Sequence, residues 1–214
     1  ASFPCNDLSL AGGRAGLKGK ESSAFWGFAK VLDEMEDRKP PLVLIENVAG
    51  LLSSCGGQDF SDVLLELSRL GYCVDAIIID SLNFVPQSRK RLFIIGLLGQ
   101  KPDEIDIVQN LAEDELRPAA LVRFIKSHDN ISWKLRDLPD LPKRDPKLPD
   151  VLDDLDADDD FWWNEQRAEY LLSQMSDRHR TVAEEMINGQ TYSYGTVFRR
   201  IRNKRSMAEL RTDG

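Results

Sequence analysis

The predicted fold follows from residues 42–48, which read Leu-Val-Leu-Ile-Glu-Asn-Val. The first four form a continuous apolar run of strand length, typical of a strand buried on both faces, as in a parallel sheet between helices. Glu46 stands where this strand ends, and in open α/β sheets ligands bind at that carboxyl end. Glu46 is therefore a candidate for binding an amidine-like edge, such as N3 and the exocyclic amine of cytosine. An ion-pairing or capping glutamate is the alternative.

Helix and strand patterns alternate on both sides of this run. The expected elements are a helix that begins at Ser22 or Ser23 and ends before Pro40-Pro41, a helix over 60–70 capped by Gly71, and strands over 73–79 and 92–98. Each helix carries apolar residues at helical spacing on one face. The order of helix, strand, helix, strand predicts an α/β sheet.

After Gly99 the patterns weaken and prolines recur. We expect an exposed acidic loop over 150–160, a helix around 167–175, and a hairpin or strand rich in Tyr and Arg over 191–202. A domain boundary is expected between residues 99 and 135.

The net charge of −8 by itself opposes nucleic-acid binding, but the charges are unevenly distributed. Seven aspartates lie between Asp150 and Asp160, and without them the net charge would be −1. From Arg178 to Arg211, eight Arg or Lys stand against three Glu, which gives a net charge of +5. This segment is interpreted either as a surface for nucleic acid or as a solvated basic face.

Three cysteines are present, Cys5, Cys55 and Cys73, without the spacing of a zinc site or of a disulfide framework. A reducing, cytoplasmic setting is therefore expected. No apolar run approaches the roughly 18 residues that cross a bilayer, and no signal peptide is recognisable, so no membrane association is expected. Without an initiator Met, the sequence reads as part of a longer protein.

Two further segments carry candidate chemistry. Cys5, after Pro4 and before a glycine-rich basic loop, is a candidate nucleophile, because nearby positive charge favours the thiolate. The alternative is a small core cysteine. In residues 87–91, Gln-Ser-Arg-Lys-Arg, strand alternation places Gln87, Arg89 and Arg91 on one side, where arginines bind phosphate, a carboxylate or a pyrimidine carbonyl. A solvated basic edge is the alternative.

In their order and spacing, these segments resemble the family of DNA cytosine-5 methyltransferases. The resemblance is carried by residues 3–9 (Phe-Pro-Cys-Asn-Asp-Leu-Ser), 46–48 and 87–91, and it covers residues 2–98 well. Asn6 stands where Gln is usual, although Asn occurs there in some members. The resemblance implies an α/β fold, a partial Rossmann-like S-adenosylmethionine-dependent methyltransferase sheet followed by a mostly irregular target-recognition region. Residues 1–98 would be the partial catalytic core, 99–135 a connection and 136–214 the partial recognition region.

The resemblance also implies roles for individual residues. Cys5 would attack C6 of a flipped cytosine, Glu46 would hold N3 and the amine, and Arg91 would bind the O2 carbonyl. Arg89 would steady Cys5 or a phosphate, and Pro4 would line the cofactor side. The expected DNA-binding residues are Asn6, Ser9, Arg14, Lys18, Arg199, Arg200, Arg202 and Lys204, with Tyr192 and Tyr194 in the same stretch as the last four. A solvated hairpin is the alternative for that stretch.

The implied cofactor is S-adenosyl-L-methionine and the implied partner is double-stranded DNA, in a bacterial or phage restriction-modification setting with a cognate restriction endonuclease. A monomer is expected. The main cofactor motifs are expected before Ala1 and after Gly214, so this chain alone is expected to be inactive. The alternatives are a tRNA cytosine-5 methyltransferase, an enzyme of the thymidylate synthase type, and a non-catalytic DNA-binding remnant.

Overall fold

The structure is a computed structural model that describes residues 1–3, 24–143, 147–156, 158–191, 193–202 and 205–212. Of Arg202 it describes the backbone alone. In these residues the helices and strands follow in the order α1 (Ala24–Glu34), β1 (Leu42–Val48), α2 (Gln58–Arg69), β2 (Tyr72–Asp80), β3 (Lys90–Leu98), α3 (Ile105–Gln109), α4 (Ala119–Lys126), α5 (Glu165–Ser173), α6 (Asp177–Ile187), β4 (Thr196–Arg202) and β5 (Arg205–Arg211). The predicted alternation of helices and strands up to residue 98 is confirmed.

The chain forms two compact units. The first contains Ala1–Ser81 and Arg89–Leu141, and the second contains Leu82–Ser88 and Pro142–Gly214. Each unit has its own cluster of buried apolar side chains.

The first unit is built on a three-stranded sheet in the order β1-β3-β2. β3 lies between the other two strands and runs antiparallel to both, so β1 and β2 share one direction. Ser2 adds a parallel bridge beside Glu46 on the other side of β1. The expectation of an all-parallel arrangement is therefore wrong for β3, because an apolar run of strand length does not reveal the direction of its neighbour.

Only one face of β1 is fully covered. Val43 and Ile45 are buried beneath α1 and α2, whereas Leu42 and Leu44 on the other face are 54% and 49% exposed. The expectation that β1 is buried on both faces is therefore wrong within the described residues. The helices over the covered face supply a continuous apolar layer that includes Phe25, Ala29, Leu32, Phe60, Val63, Leu64 and Leu67.

The segment from 99 to 135, expected to be a connection, instead contributes to the core of the first unit. α4 buries Leu121 and Ile125, and Trp133 is 2% exposed. Trp133 lies beside Val74 in a parallel bridge, where Val74 donates to Ser132 and accepts from Lys134, both at 2.8 Å. This segment therefore covers the outer edge of β2, which would otherwise present unpaired backbone groups.

A buried ion pair fixes this segment to the sheet. Asp75 of β2 is fully buried, and its Oδ2 lies 2.7 Å from a terminal guanidinium nitrogen of Arg117, which is 5% exposed. The backbone N–H of Arg136 donates to the same carboxylate at 2.9 Å. Burial raises the pKa of the Asp75 carboxyl, and the guanidinium of Arg117 opposes that shift. The Asp75 carboxylate thus connects β2 to Arg117 and to the backbone at Arg136.

The second unit packs two helices against a hairpin. The helix expected around 167–175 is α5, and the Asn164 side chain accepts a hydrogen bond from the Arg167 backbone N–H at its start. The hairpin is formed by β4 and β5, whose register pairs Thr196 with Arg211. The buried core of the second unit consists of Met175, Ala183, Ala208 and Leu210. α6 was not predicted, and the described stretch between α4 and α5 is irregular apart from the bridge at Trp133 and one 3-10 turn, Leu148–Val151.

In the described part of the chain, every helix is too short or too polar to cross a bilayer.

The Asp75–Arg117 pair gives a stability prediction. Asp75→Ala leaves a buried guanidinium without its counter-charge, and we expect it to lower the free energy of unfolding by about 3–5 kcal/mol. Because an apolar pair removes both charges, Asp75→Leu combined with Arg117→Met should cost less than the sum of the two single changes. Chemical denaturation measures these changes.

Asp33→Ala is the matched control. Its carboxylate pairs with Arg69 at the surface, with side chains 51% and 54% exposed, so the loss should stay below about 1 kcal/mol. Equal losses for Asp75→Ala and Asp33→Ala would contradict the role given to the buried pair.

Candidate active site

The site is built around an ion pair between two neighbouring strands. Val48 of β1 lies opposite Arg91 of β3, and Glu46 lies on the same face as Val48 because strand side chains alternate. This diagonal arrangement is within reach of long side chains. Arg91 Nε lies 2.7 Å from Glu46 Oε1, with the side chains 21% and 33% exposed. Partial shielding from water makes this pair stronger than a surface pair.

Ser2 occupies the other oxygen of the same carboxylate. Its hydroxyl lies 2.7 Å from Glu46 Oε2 and donates to it. The backbones are also joined, since the Glu46 N–H donates to the Ala1 carbonyl at 2.9 Å. Both oxygens of Glu46 therefore have a donor, one from each side of β1. No motif of the sequence indicates Ser2, because its role depends on which residue it meets across the sheet.

Asn47 fastens the segment that leads into Pro4-Cys5. It is 3% exposed, and its side-chain amide donates to the Phe3 carbonyl at 3.2 Å and accepts from the Val48 N–H at 2.9 Å. The Phe3 ring packs against Phe25 of α1, with ring centroids 5.5 Å apart. The segment Glu46-Asn47-Val48 by itself gives Asn47 no role, although a polar residue on the face of Val43 and Ile45 is a usable signal.

Arg89 lies just before β3. Its backbone N–H donates to Asp80 Oδ1 at 2.7 Å, which continues the contact between the ends of β2 and β3. Strand pairing begins at Lys90, so the alternation expected to align Gln87 and Arg89 with Arg91 applies only from Lys90 onward. Arg89 is exposed, and its guanidinium makes no hydrogen bond to any residue in the described ranges.

Several expected site residues lie outside the described residues. They are Pro4, Cys5, Asn6, Ser9, Arg14, Lys18, Tyr192 and Lys204. The first six lie between Phe3 and α1 in the sequence, and Phe3 is the last described residue before α1.

The cysteines other than Cys5 differ in their surroundings. Cys73 is buried in β2, its thiol donates to the Gln100 carbonyl at 3.1 Å, and burial raises its pKa. A buried thiol with a raised pKa is a poor nucleophile. Cys55 is exposed, in a 3-10 segment, Ala49–Gly57. The described residues contain no cluster of three or more His, Cys, Asp or Glu that would hold a metal ion.

The two neighbouring arginines of the hairpin point to opposite faces. Arg200 Nε lies 3.3 Å from Glu209 Oε2, and the guanidinium carbon lies 4.9 Å from the Phe198 ring centroid. Arg199, opposite Ala208, is exposed, and its guanidinium has no ion-pair or hydrogen-bond partner in the described part of the chain. Ile201, on the same face as Arg199, is 79% exposed. Arg200 is thus held within the hairpin, whereas Arg199 remains available.

The described residues do not form a binding site for a nucleoside cofactor by themselves. In an open α/β fold such a site uses a glycine-rich loop that joins a strand directly to a helix. Here β1 is separated from α2 by the 3-10 segment Ala49–Gly57, and the connections after β2 and β3 lead to no such loop within the described ranges. Pro4 is the one residue of the chain that the sequence analysis placed beside the cofactor.

Comparison with known proteins gives the family. The family model described as C-5 cytosine-specific DNA methylase matches residues 1–212. The chain therefore belongs to the C-5 cytosine-specific DNA methylase family.

Its relatives include bacterial and phage methyltransferases. The type II methyltransferase M.BanI of Aneurinibacillus aneurinilyticus is 37% identical over 103 residues, which cover 48% of this chain and 23% of that protein. The orphan methyltransferase M.SPBetaI of Bacillus phage SPbeta is 28% identical over 210 residues, which cover 82% of this chain and 46% of that protein. The chain thus spans less than half the length of these relatives. Among solved structures, S. pombe Dnmt2 methyltransferase matches at 28% identity, over 54% of this chain and 36% of that chain, with a TM-score of 0.36.

The contacts of Asn47 give a second prediction. Asn47→Ala leaves the Phe3 carbonyl and the Val48 N–H without their partner, and we expect a loss of about 1–3 kcal/mol in the free energy of unfolding. Asn188→Ala is the control, because its side-chain amide donates to the Glu184 carbonyl on an exposed surface. We expect it to change stability by less than about 0.5 kcal/mol. Chemical denaturation that gave the same small loss for both variants would contradict the anchoring role of Asn47.

Proposed function

We propose that the complete protein is a DNA cytosine-5 methyltransferase, which transfers a methyl group from S-adenosylmethionine to C5 of a cytosine flipped out of duplex DNA. The observation that carries the proposal is the ion pair of Glu46 and Arg91, with Oε1 and Nε 2.7 Å apart. The carboxylate and the guanidinium come from separate motifs of the family resemblance, and they meet at one end of the sheet.

The position of Phe3 supports the assignment of Cys5 to the same site. Ser2 and Phe3 bond to Glu46 and Asn47, and Cys5 follows Phe3 by two residues. Two residues of chain span at most about 7 Å. The covalent connection therefore limits how far the thiol lies from the described contacts, whatever path residues 4 and 5 follow.

The chemistry assigned to Cys5 answers a specific difficulty. C5 of cytosine is a poor nucleophile, and the addition of a thiolate to C6 makes C5 enamine-like. The electron pair of the new C–S bond comes from the thiolate, and negative charge develops towards N3 of the ring. S-adenosylmethionine, when bound, supplies the electrophilic methyl group. Removal of the C5 proton by a base then returns electrons to the ring and expels the Cys5 thiolate.

Glu46, Arg91 and Arg89 are assigned to the base and to the nucleophile. Glu46 would hold the exocyclic amine and N3, and so would favour the protonated form of the ring as charge develops at N3. Arg91 has further N–H groups besides the Nε that contacts Glu46, and these would bind the O2 carbonyl. Arg89, whose side chain is exposed, would steady Cys5 or a phosphate. Pro4 would line the side of the methyl donor.

Flipping a base out of a duplex costs a few kcal/mol, which protein contacts must offset. We assign contacts with the DNA phosphates to Ser9, Arg14 and Lys18. Asn6 is assigned to the space that the flipped base leaves in the duplex. Sequence recognition is assigned to the β4–β5 hairpin, where Arg202 and Lys204 complete the expected set. Among Arg199 and Arg200, the exposed Arg199 is the better placed, because Arg200 is paired with Glu209.

The relatives suggest the biological setting. Several are named type II methyltransferases of bacteria, and others are orphan methyltransferases of phages. We extend the proposal to a bacterial or phage enzyme that acts as a monomer on double-stranded DNA, with a cognate restriction endonuclease as its partner in the cell. Transfer of labelled methyl to duplex DNA, and not to tRNA, distinguishes this proposal from an RNA methyltransferase.

The role of Cys5 is tested in the complete enzyme. We expect Cys5→Ala to abolish methyl transfer and to leave affinity for duplex DNA within about threefold, because a nucleophile acts in the chemical step and contributes little to binding. Wild-type protein should form a denaturation-resistant complex with DNA that carries 5-fluorocytosine at the target, since fluorine cannot leave C5 as a proton does. Cys5→Ala should form none.

Cys55→Ala is the control, since Cys55 is an exposed free cysteine in the same fold unit. It should retain wild-type turnover and the covalent complex. Turnover by Cys5→Ala would remove the covalent mechanism.

The two faces of the hairpin give a fourth prediction. Arg199→Ala should weaken binding to the recognised duplex, by about 1–3 kcal/mol for a base contact, and should reduce discrimination against altered sequences. Arg200→Ala, the adjacent matched variant, should leave sequence discrimination unchanged, because its guanidinium is held by Glu209 and Phe198. Fluorescence anisotropy with cognate and altered duplexes measures both effects. Equal loss of discrimination in both variants would contradict this division.

A further inference from the structure

We infer that Ser2 is a positioning residue for Glu46, and that its hydroxyl holds the carboxylate in the orientation that receives the target base. This inference rests on the proposed function. Neither the motif that contains Glu46 nor the one that contains Arg91 indicates a hydroxyl at this place, and Ser2 precedes the family's Pro-Cys pair by one intervening residue.

The carboxylate is held from both sides of its strand. Arg91 reaches Oε1 from β3, at 2.7 Å, and Ser2 reaches Oε2 from the opposite edge of β1, also at 2.7 Å. With a donor on each oxygen, rotation of the carboxylate about its last bond breaks at least one hydrogen bond. An ionised carboxylate has about four lone-pair positions, so each oxygen retains capacity for a base amine or a protonated ring nitrogen.

The hydroxyl contributes little to the backbone arrangement itself. The Glu46 N–H donates to the Ala1 carbonyl, and the Asn47 side chain donates to the Phe3 carbonyl, without any part of the Ser2 side chain. Removal of the hydroxyl therefore leaves these contacts in place and frees only Oε2 of Glu46, while Arg91 still holds Oε1. Glu46 is 33% exposed and has space to adopt other rotamers. A carboxylate that is held at one oxygen alone is less well oriented for the base, and this affects the transition state more than the binding of DNA.

The experiment uses the complete enzyme and a duplex with a single target cytosine. Ser2→Ala should lower kcat about tenfold, since a hydrogen bond to a charged group is lost, and should leave KM for DNA within about twofold. The rate of covalent complex formation with 5-fluorocytosine DNA should fall by a similar factor. Affinity for a duplex with an abasic target position should not change, because Glu46 has no base to hold there.

Two further variants distinguish positioning from a general loss of structure. Ser2→Thr keeps the hydroxyl and should restore kcat to within about threefold of wild type. Ser53→Ala removes an exposed hydroxyl that donates to the Gly50 carbonyl after the same strand, and it should behave as wild type. Wild-type kcat in Ser2→Ala, or equal defects in Ser2→Ala and Ser2→Thr, would overturn the inference. If the wild-type enzyme does not methylate DNA, or if Cys5→Ala remains active, the proposed function itself fails.

Discussion

The position of β3 between β1 and β2 is the constraint on which the site depends. Because β3 runs antiparallel to both neighbours, its first residues meet the last residues of β1 and β2. Arg91 therefore lies opposite Val48 near the end of β1, within reach of Glu46, and strand pairing alone places it there. Each side chain sits on a strand whose backbone bonds are satisfied on both sides at that point. A site on strand ends of this kind is held more rigidly than one on loops.

The motifs of the sequence indicate Glu46 and Arg91 as separate candidates, and the alternation of elements predicts the α/β core up to residue 98. Ser2 and Asn47 were not assigned roles, because their partners follow from strand order and register, which a local pattern does not contain. The same limit explains the expectation of an all-parallel sheet. Leu42 and Leu44 belong to an apolar run yet lie half exposed, since burial depends on what covers a face.

The segment after residue 98 shows why weak patterns are poor evidence for a linker. α4 is short and begins directly after Pro118, so its apolar face gave little signal. In the structure this segment is fixed by Trp133 beside Val74 and by the buried Arg117 against Asp75. Neither contact is visible as a period in the sequence. A buried charge is costly without a partner, so the two residues of such a pair depend on one another across a long stretch of chain.

The arginines of the second unit are unevenly paired, so the net charge of the chain does not describe the surface that a nucleic acid would meet. Between residues 178 and 211, two of the three glutamates form ion pairs within the second unit: Glu184 with Arg180, and Glu209 with Arg200. A guanidinium that is paired with a carboxylate contributes little electrostatic potential beyond a Debye length, because the two charges nearly cancel. The positive potential of this segment therefore comes mainly from unpaired side chains such as Arg199. The acidic run before α5 dominates the sum of charges without neutralising these side chains by any contact in the described ranges. For a ligand with closely spaced phosphates, the count of unpaired guanidiniums on one face matters more than the net charge of −8.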